Sequence, residues 1–446
     1  MLLQKIRIGA GAGFAGDRLE PAIELINRGM LDFIVFECLA ERTIARESLT
    51  LNRGLGTGFN PYLEERLEAA LPRCEATHTK LVTNMGAANP RAAAEQANVI
   101  ARNLMLKDCR AAVLLGDDVT HIISNKPGLN LMETNEPLES IFPKLCSANA
   151  YLGADSILAA IQTGAPTIIT GRVADPSLFL APMLYSLGWS YDDYDKLAQG
   201  STAGHLLECA GQVTGGYFAD PKNITIPDLA NLGFPFADVD SNGKVTISKL
   251  DDTGGRVDVA TCSEQLLYEV GDPNCYITPD CILDITNTYF EEIGRNKILV
   301  HGSKAKPRTN SYKVSVGYFD GYLGDGQLSY GGPGAIERAK LADRVVRERL
   351  TLGGFQYKEL RTDYIGLNSL YGNSNNSPEL NEVRLRIAGK SDNKRAVEAI
   401  GREVSALYTN GPAGGAGDSK SIKEILAVKS VLLPRNFISP TIEIVE

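Results

Sequence analysis

The sequence lacks the features that mark several common classes of protein. It contains one tryptophan, and its eight cysteines include no Cys-x-x-Cys pair. No stretch concentrates lysine and arginine, and the formal net charge is −9. No apolar run approaches the roughly 20 residues that span a bilayer. These absences argue against a structural zinc site, a disulfide framework, a nucleic-acid partner and a membrane span.

The composition is that of an ordinary globular protein. Hydrophobic residues make up 43% of the chain and charged residues 22%. A length of 446 residues exceeds what one hydrophobic core supports, so we expect two or three domains. The first residues lack the charged and apolar regions of a signal peptide. Together with the scattered cysteines, this favours a reducing cytoplasm.

The first half of the chain alternates predicted strands and helices. Five nearly continuous apolar runs predict strands that are buried on both faces of a parallel sheet: Ile6–Ile8, Phe33–Phe36, Lys80–Thr83, Ala111–Leu115 and Thr167–Thr170. We predict an α/β domain over residues 1–220, a mostly parallel sheet with helices on both faces. A (β/α) barrel is the alternative, because the sequence does not give the strand order.

The remainder predicts two further segments, a β-rich intervening segment over residues 221–305 and an α+β domain over residues 306–446. The last segment has the order strand–helix–strand–strand–helix–strand, which is ferredoxin-like, and its final predicted strand is Thr441–Val445. A glycine-rich stretch at 409–417, which includes Gly414 and Gly415, is either a flexible connector or a loop that wraps a ligand.

The glycine-rich stretch at residues 6–18 predicts a strand, a tight loop and a helix. Gly11 to Gly16 form the pattern G-x-G-x-x-G, and Glu37 follows twenty-one residues later, as in dinucleotide-binding folds. Asp17, however, places a negative charge where a pyrophosphate would bind. We therefore interpret the loop, with Gly11 and Gly13, as a ligand-binding loop. A dinucleotide-dependent oxidoreductase is kept as an alternative.

Polar residues follow the other predicted strands. Because the carboxyl ends of parallel strands meet at one edge of a sheet, we expect these residues to form one site. Glu37, Asp117 and Asp118 are candidates for proton transfer. The candidates for binding the substrate or an anionic group are Arg42, Asn84, Gly86, Asn89, Arg172 and Asp175, with the glycines at 414 and 415.

A further candidate pair is His205 and Glu208. They stand three residues apart, so on a helix they share a face. Such a pair can act as an acid/base dyad, ligate a metal, or simply be hydrogen-bonded on a half-buried helix. An acidic cluster at the strand ends is also a ligand set for Mg²⁺, so the metal requirement is left open.

Several blocks together resemble the acyclic terpene utilisation (AtuA-type) family, a group long of unknown function. The blocks are residues 6–18, 36–43, 83–90, 170–176, 204–216, 264–272 and 407–415. The resemblance implies a role in the breakdown of citronellol- and geraniol-type compounds by a route through branched acyl-CoA thioesters. It supplies a pathway context and no catalytic residue set.

From the residues and the resemblance together we expect an enzyme. The expected reaction is that of a lyase or hydratase acting by acid/base chemistry on a carboxylate or a CoA thioester. The alternatives are the dinucleotide-dependent oxidoreductase and a non-catalytic partner subunit of a CoA-using complex. We expect a homo-oligomer with a small-molecule substrate, CoA as the substrate moiety, and an open question over a divalent metal.

Overall fold

Strands and helices alternate along the first half of the chain, as the apolar runs predict. The computed structural model describes residues 3–126, 128–370, 372 and 381–446. The strands are β1 (Lys5–Ala12), β2 (Phe33–Phe36), β3 (Lys80–Thr83), β4 (Ala111–Leu115), β5 (Leu145–Ala150), β6 (Thr167–Thr170), β7 (Pro235–Asp240), β8 (Val245–Lys249), β9 (Tyr276–Ile277), β10 (Cys281–Asp284), β11 (Tyr289–Gly294), β12 (Lys297–His301), β13 (Lys304–Pro307), β14 (Ser311–Gly331), β15 (Glu359–Ile365), β16 (Glu382–Ser391), β17 (Gly415–Pro434) and β18 (Thr441–Val445). The helices are α1 (Glu20–Arg28), α2 (Glu41–Asn52), α3 (Leu63–Thr77), α4 (Pro90–Asn103), α5 (Thr120–Ser124), α6 (Ala154–Gln162), α7 (Asp175–Leu187), α8 (Tyr194–Glu208), α9 (Val259–Leu267), α10 (Ala335–Leu352) and α11 (Lys394–Asn410).

The chain divides into two compact units. Unit 1 consists of residues 1–317 and 428–446, and unit 2 of residues 318–427. The chain passes from one unit to the other within β14 and within β17. The predicted domain boundaries near residues 220 and 305 stay predictions. Within the described ranges, no helix is both long and apolar enough to cross a membrane.

Unit 1 is built on a ten-stranded sheet in the order β11-β12-β8-β7-β1-β2-β3-β6-β4-β18. Its central strands, β1-β2-β3-β6-β4, are parallel to their neighbours in this series. Antiparallel strands, β7 on one side and β18 on the other, extend the series. The sheet is therefore open, so the α/β prediction is confirmed and the barrel alternative is not what the chain forms.

Two groups of helices pack against this sheet. One group contains α1, α3 and α4, and the other contains α6, α7 and α8. The parallel strands between them are almost entirely buried, which explains why their sequences are continuous apolar runs. A three-stranded sheet, β13-β10-β9, packs with α8. This small sheet brings β9 close to the helix that carries His205 and Glu208.

The first strand is longer than predicted, because β1 runs through Gly9 and Gly11 to Ala12. The prediction that the loop begins after Ile8 was wrong. Gly11 lies where the register of β1 against β2 shifts, and a Cβ there would meet the Phe36 ring at 2.9 Å. Gly11 thus makes room for an aromatic side chain of the core, which is a packing role that the sequence pattern alone does not separate from ligand binding.

Unit 2 has the predicted ferredoxin-like order, formed by β14, α10, β15, β16, α11 and β17, with the strands arranged β15-β16-β14-β17. The identity of the last strand was predicted wrongly. Thr441–Val445 is β18, which pairs with β4 of unit 1, and β17 closes the order instead. The glycine-rich start of β17 and its exposed polar residues hide the alternation that would mark a strand.

Candidate functional site

The residues that follow the parallel strands contact one another. The Oε1 atom of Glu37, directly after β2, accepts a hydrogen bond of 2.9 Å from Nδ2 of Asn84, directly after β3. Oδ2 of Asp117, just beyond β4, accepts a hydrogen bond of 2.9 Å from the backbone N–H of Arg172, just beyond β6. The carboxyl edge of the sheet therefore brings together these four residues, which the strand pattern predicted to lie there. That they form an active site stays a prediction.

Glu37 lies in a setting that favours its neutral form. Its side chain is buried, and the backbone N–H of Leu39 donates a second hydrogen bond of 2.8 Å to Oε1. Burial and the charge of Asp175 raise the pKa of Glu37 to about 8, against the opposing effect of the hydrogen bonds and of Arg172. Both hydrogen bonds fall on Oε1, so Oε2 is the oxygen that carries the proton at neutral pH.

Arg172 is the buried cation of this edge. Its Nη1 donates to Oδ1 of Asp175 at 2.8 Å and also to the carbonyl of Leu39. Its guanidinium lies 4.2 Å from the centre of the Tyr151 ring. Burial by itself would lower the pKa of Arg172, but Asp175, Tyr151 and nearby glutamates raise it, so it stays charged. Arg172 thus serves as a fixed counter-ion within the protein.

Glu41 is held by the same group of residues. The hydroxyl of Tyr151 donates to Oε1 of Glu41, and Nζ of Lys313 lies 3.5 Å from that oxygen. Burial opposes ionisation of Glu41, but Arg172, Tyr151 and Lys313 lower its pKa to about 2. Glu41 is therefore ionised at neutral pH, whereas Glu37, four residues earlier, is mostly neutral.

Asp117 shows a smaller shift in the same direction as Glu37. It is buried and also accepts a hydrogen bond of 3.0 Å from Nδ2 of Asn149. Burial raises its pKa to about 6, while the hydrogen bonds from Arg172 and Asn149 lower it. A Cβ on the neighbouring Gly171 would lie 2.5 Å from Oδ1 of Asp117, so the carboxylate fills the space that this glycine leaves.

His205 and Glu208 form a buried pair on α8. Nδ1 of His205 lies 2.8 Å from Oε1 of Glu208, and Nε2 lies 3.2 Å from the carbonyl oxygen of Leu266. A carbonyl only accepts, so Nε2 carries a proton. One further proton is then shared between Nδ1 and Oε1, and the pair titrates as a unit.

The second oxygen of Glu208 is an unsatisfied acceptor. Among the described residues, Oε2 is buried without a hydrogen-bond partner. Burial raises the pKa of Glu208 to about 7, and the charges of Asp175 and Glu269 act in the same direction, against His205. Burial opposes protonation of His205, but Glu208 raises its pKa overall. The pair therefore holds its shared proton more firmly than an isolated histidine would.

Tyr276 of β9 packs against the His205–Glu208 pair. Its ring meets the His205 ring edge-on, with the ring centres 5.3 Å apart. Burial and the carboxylates of Glu208, Asp175 and Glu269 raise the pKa of Tyr276, so its hydroxyl stays a hydrogen-bond donor. The same carboxylate, Asp175, thus acts electrostatically on Glu37, Glu208 and Tyr276, which places them in one cluster.

The loop after β1 reaches this cluster from the other side. A Cβ on Gly13 would lie 2.5 Å from the backbone of Cys209, directly after Glu208. The N–H of Gly13, however, donates to Oδ2 of Asp17 at 2.9 Å, and α1 begins only at Glu20. A dinucleotide fold needs both that free N–H and a helix that begins at the glycines. These two observations disfavour the oxidoreductase alternative.

The remaining candidates lie outside the buried cluster. Asp118 is exposed and accepts from the N–H of Thr120, and Arg42 is exposed in the first turn of α2. Asn89 caps α4 by accepting from the N–H of Ala92. A Cβ on Gly86 would lie 2.5 Å from the Thr170 carbonyl.

Gly414 and Gly415 belong to unit 2. Gly414 has a φ of +77°, which favours glycine, and Gly415 is the first residue of β17. The chain continues from Gly415 as the strand β17. The choice between connector and ligand-wrapping loop stays a prediction.

Three residues of the cluster escaped the sequence analysis, namely Tyr151, Glu269 and Tyr276. Tyr151 follows β5 and Tyr276 lies in a two-residue strand, so neither stands at the end of a predicted parallel strand. Glu269 adopts a φ of +61° in the turn after α9, a conformation uncommon for a residue with a Cβ. No spacing in the sequence connects these three positions with Glu37 or His205.

The cluster does not have the geometry of a metal centre. Among the residues that the structure describes, no group of three or more His, Cys, Asp or Glu side chains could hold a metal ion.

Burial raises the pKa of the Cys38 and Cys209 thiols. Both are therefore uncharged at neutral pH, as we expect for thiols beside a glutamate.

A cavity of about 220 Å³ lies at the opposite edge of the sheet. Its lining includes Lys80, Ala111 and Thr167, the first residues of three parallel strands. This cavity and the cluster are thus at different ends of the strands. We place the candidate site at the carboxyl edge because the buried groups with shifted pKa values lie there, and such groups mark functional sites.

The shifted pKa of Glu37 gives a testable pH dependence. In the unfolded chain Glu37 ionises near pH 4, but in the fold only near pH 8, so its contribution to stability falls as the pH rises through this range. Glu37→Gln removes that loss. In urea unfolding, the variant should match the wild type at pH 5 and exceed it at pH 9 by a few kcal/mol, at about 1.4 kcal/mol per pKa unit.

The exposed Glu64 on α3 provides the control for this experiment. Glu64→Gln should leave the difference between pH 5 and pH 9 as it is in the wild type. An equal response of the two variants would show that Glu37 is ionised in the folded protein at neutral pH.

Comparison with known proteins gives one match. A family model described as "Acyclic terpene utilisation family protein AtuA" matches residues 6–444. No curated protein and no solved structure matches the chain. The match covers nearly the whole chain, including both units and every residue of the cluster.

Proposed function

The chain belongs to the acyclic terpene utilisation family AtuA. We propose that its role in acyclic terpene utilisation is that of a lyase or hydratase. The proposed substrate is a branched carboxylate or its CoA thioester, and the proposed chemistry is acid/base catalysis. The observation that carries the proposal is the pairing of two proton-carrying groups around Asp175, with Glu37 on one side and the His205–Glu208 pair on the other.

The different protonation states of Glu37 and Glu208 suit the two proton transfers of one reaction. Glu37 is mostly neutral near pH 7 and can donate a proton, whereas Oε2 of Glu208 has no partner and can accept one. In a hydratase, the C–H bond at the α-carbon breaks and its proton passes to Glu208. The C–O bond at the β-carbon breaks, the departing oxygen takes the proton of Glu37 as water, and a C=C bond forms.

Tyr276 and Arg42 have supporting roles in this proposal. In this proposal the Tyr276 hydroxyl, kept protonated, donates to a developing oxyanion beside His205. Arg42 is exposed at the start of α2 and would bind the carboxylate or a phosphate of the substrate. Arg172 would act indirectly, by holding Asp175 and Glu41 in place.

Two isosteric substitutions separate catalysis from folding at this edge. Glu37→Gln and Asp117→Asn keep the shape of each side chain and its ability to accept hydrogen bonds. At pH 6 we expect each to abolish activity with little change in melting temperature. A large loss of stability in both variants, with activity falling only in proportion, would show that these carboxyl groups are structural.

The proposal is tested first by ligand binding. We would measure the melting temperature of the purified protein with CoA, branched acyl-CoAs, NAD(P)H and divalent metals, each added singly. A ligand at a hundredfold excess over its dissociation constant stabilises the folded state by about 2.7 kcal/mol. A shift with CoA species supports the proposal. A shift with nicotinamide cofactors alone favours an oxidoreductase, and no shift at all favours a non-catalytic subunit.

A further inference from the structure

The strand β17 forms one end of the sheet in unit 2. Among the described strands of that sheet, β14 is its neighbour, and the order ends with β17. Six consecutive residues, 419–424, are exposed, although neighbouring side chains of a strand point to opposite faces. An edge this long presents a row of backbone N–H and C=O groups that another strand can pair with. Natural proteins usually shorten or cover such an edge.

The side chains of this segment can be assigned to faces. A Cβ on Gly401 of α11 would lie 2.8 Å from Cβ of Lys420, so Lys420 is on the helix side of the sheet. The hydroxyl of Ser419 accepts from Nη2 of Arg384 on the other side. With a period of two, Ile422 and Glu424 share the helix side with Lys420. Ile422 is 43% exposed there.

We propose that β17 pairs with β17 of a second copy of this chain, antiparallel and centred on Ile422. A two-fold axis perpendicular to the sheet places Ile422 opposite its own copy. It also places Lys420 opposite Glu424 of the second copy, twice by symmetry. Opposite charges and apolar side chains directly across an antiparallel pair are stabilising. The sheets of the two copies would join into one continuous sheet.

Neighbouring registers lack this complementarity. Centring the pair on Lys423 places two lysines opposite each other, and centring it on Glu424 places two glutamates opposite each other. Like charges directly opposite are destabilising. Lysines on edge strands commonly oppose association, but here each Lys420 meets a carboxylate. The register centred on Ile422 therefore identifies the partner as a second copy of this chain.

Charge reversal tests the register through the molar mass in solution. Sedimentation across a concentration series should show a dimer for the wild type. Lys420→Glu alone and Glu424→Lys alone should each weaken dimerisation about tenfold or more, since each creates two like-charge pairs. The double variant K420E/E424K should restore it. Interactions of Glu424 within its own chain are lost in both the single and the double variant, so restoration reports on the pairing between copies.

Cross-linking tests the symmetry. Ile422→Cys should give a disulfide-linked dimer on oxidation, because Cα atoms of directly opposite residues are about 4.5 to 5.5 Å apart, within the range that a disulfide spans. Ile425→Cys is the matched control, since its partner in this register is Ser419 and not its own copy. A wild-type monomer at all concentrations overturns the proposal. So does a dimer that neither single charge reversal weakens, or equal cross-linking of the two cysteine variants.

Discussion

Arg172→Met is expected to lower the free energy of unfolding by about 3 to 5 kcal/mol, the usual cost of removing one partner from a buried ion pair. The guanidinium is 2% exposed and lies against Asp175, Tyr151 and the Leu39 carbonyl. Methionine is similar in length but leaves the carboxylate of Asp175 without its cation and removes one of the two cations beside Glu41, the other being Lys313. Urea unfolding at neutral pH measures the loss.

The loss should depend on pH in a defined direction. The pKa of Glu41 is lowered to about 2 in the fold, against about 4.3 in the unfolded chain. A lowered carboxyl pKa stabilises the fold above the unfolded value, and this stabilisation disappears as the pH falls towards 2. The difference between the wild type and Arg172→Met should therefore shrink below about pH 4.

Arg42→Met is the matched control for this experiment. Arg42 is an exposed arginine in the first turn of α2, next to Glu41 in the chain. Its replacement should change the free energy of unfolding by no more than about 0.5 kcal/mol, as for most surface positions. If the two arginine variants lost equal stability, the carboxylates of the cluster would not depend on Arg172.

His205→Gln is expected to lower the rate of the proposed reaction about 100- to 10,000-fold, the range for loss of a positioned acid/base group. Glutamine can still donate to the Leu266 carbonyl but cannot exchange a proton with Glu208. Glu208→Gln should lower the rate as well. It should also shift the pH–rate profile downwards, because the carboxylate that raises the pKa of His205 is gone.

The chain contains a second pair of the same type that serves as the control. His301 on β12 lies with Nε2 2.9 Å from Oε2 of Glu291 on β11, and its side chain is 30% exposed. His301→Gln should leave the rate unchanged. If replacing either histidine has the same effect on the rate, the pair on α8 has no special role.

The sequence predicts the centre of the fold better than its edges. The runs at β2, β3, β4 and β6 have the predicted bounds, because strands buried on both faces must be apolar at every position. β1 was predicted too short, because glycines do not show whether they serve a loop or make room for Phe36. β17 was missed because its exposed residues carry no alternating pattern.

The residues of the candidate site also divide into those that the sequence predicts and those that it does not. Glu37, Asn84, Asp117 and Arg172 could be predicted to lie at one edge, because the carboxyl ends of parallel strands meet at the same edge of a sheet. Tyr151 and Tyr276 could not, since they come from β5 and from the small sheet on α8, and tertiary packing alone brings them there. The ion pair between Arg172 and Asp175 could not be predicted either. Its position in the sequence does not distinguish a ligand-binding arginine from an internal counter-ion.

The most direct test of the account is hydrogen exchange at the substrate carbon. The wild-type protein would be incubated in D₂O with 3-methylbutanoyl-CoA, a saturated branched thioester, and the thioester analysed by mass spectrometry. We expect deuterium at the α-carbon with the wild type, strongly reduced exchange with His205→Gln, and wild-type exchange with His301→Gln. A thioester that raises the melting temperature but gains no deuterium, or that gains it equally with His205→Gln, would contradict the account.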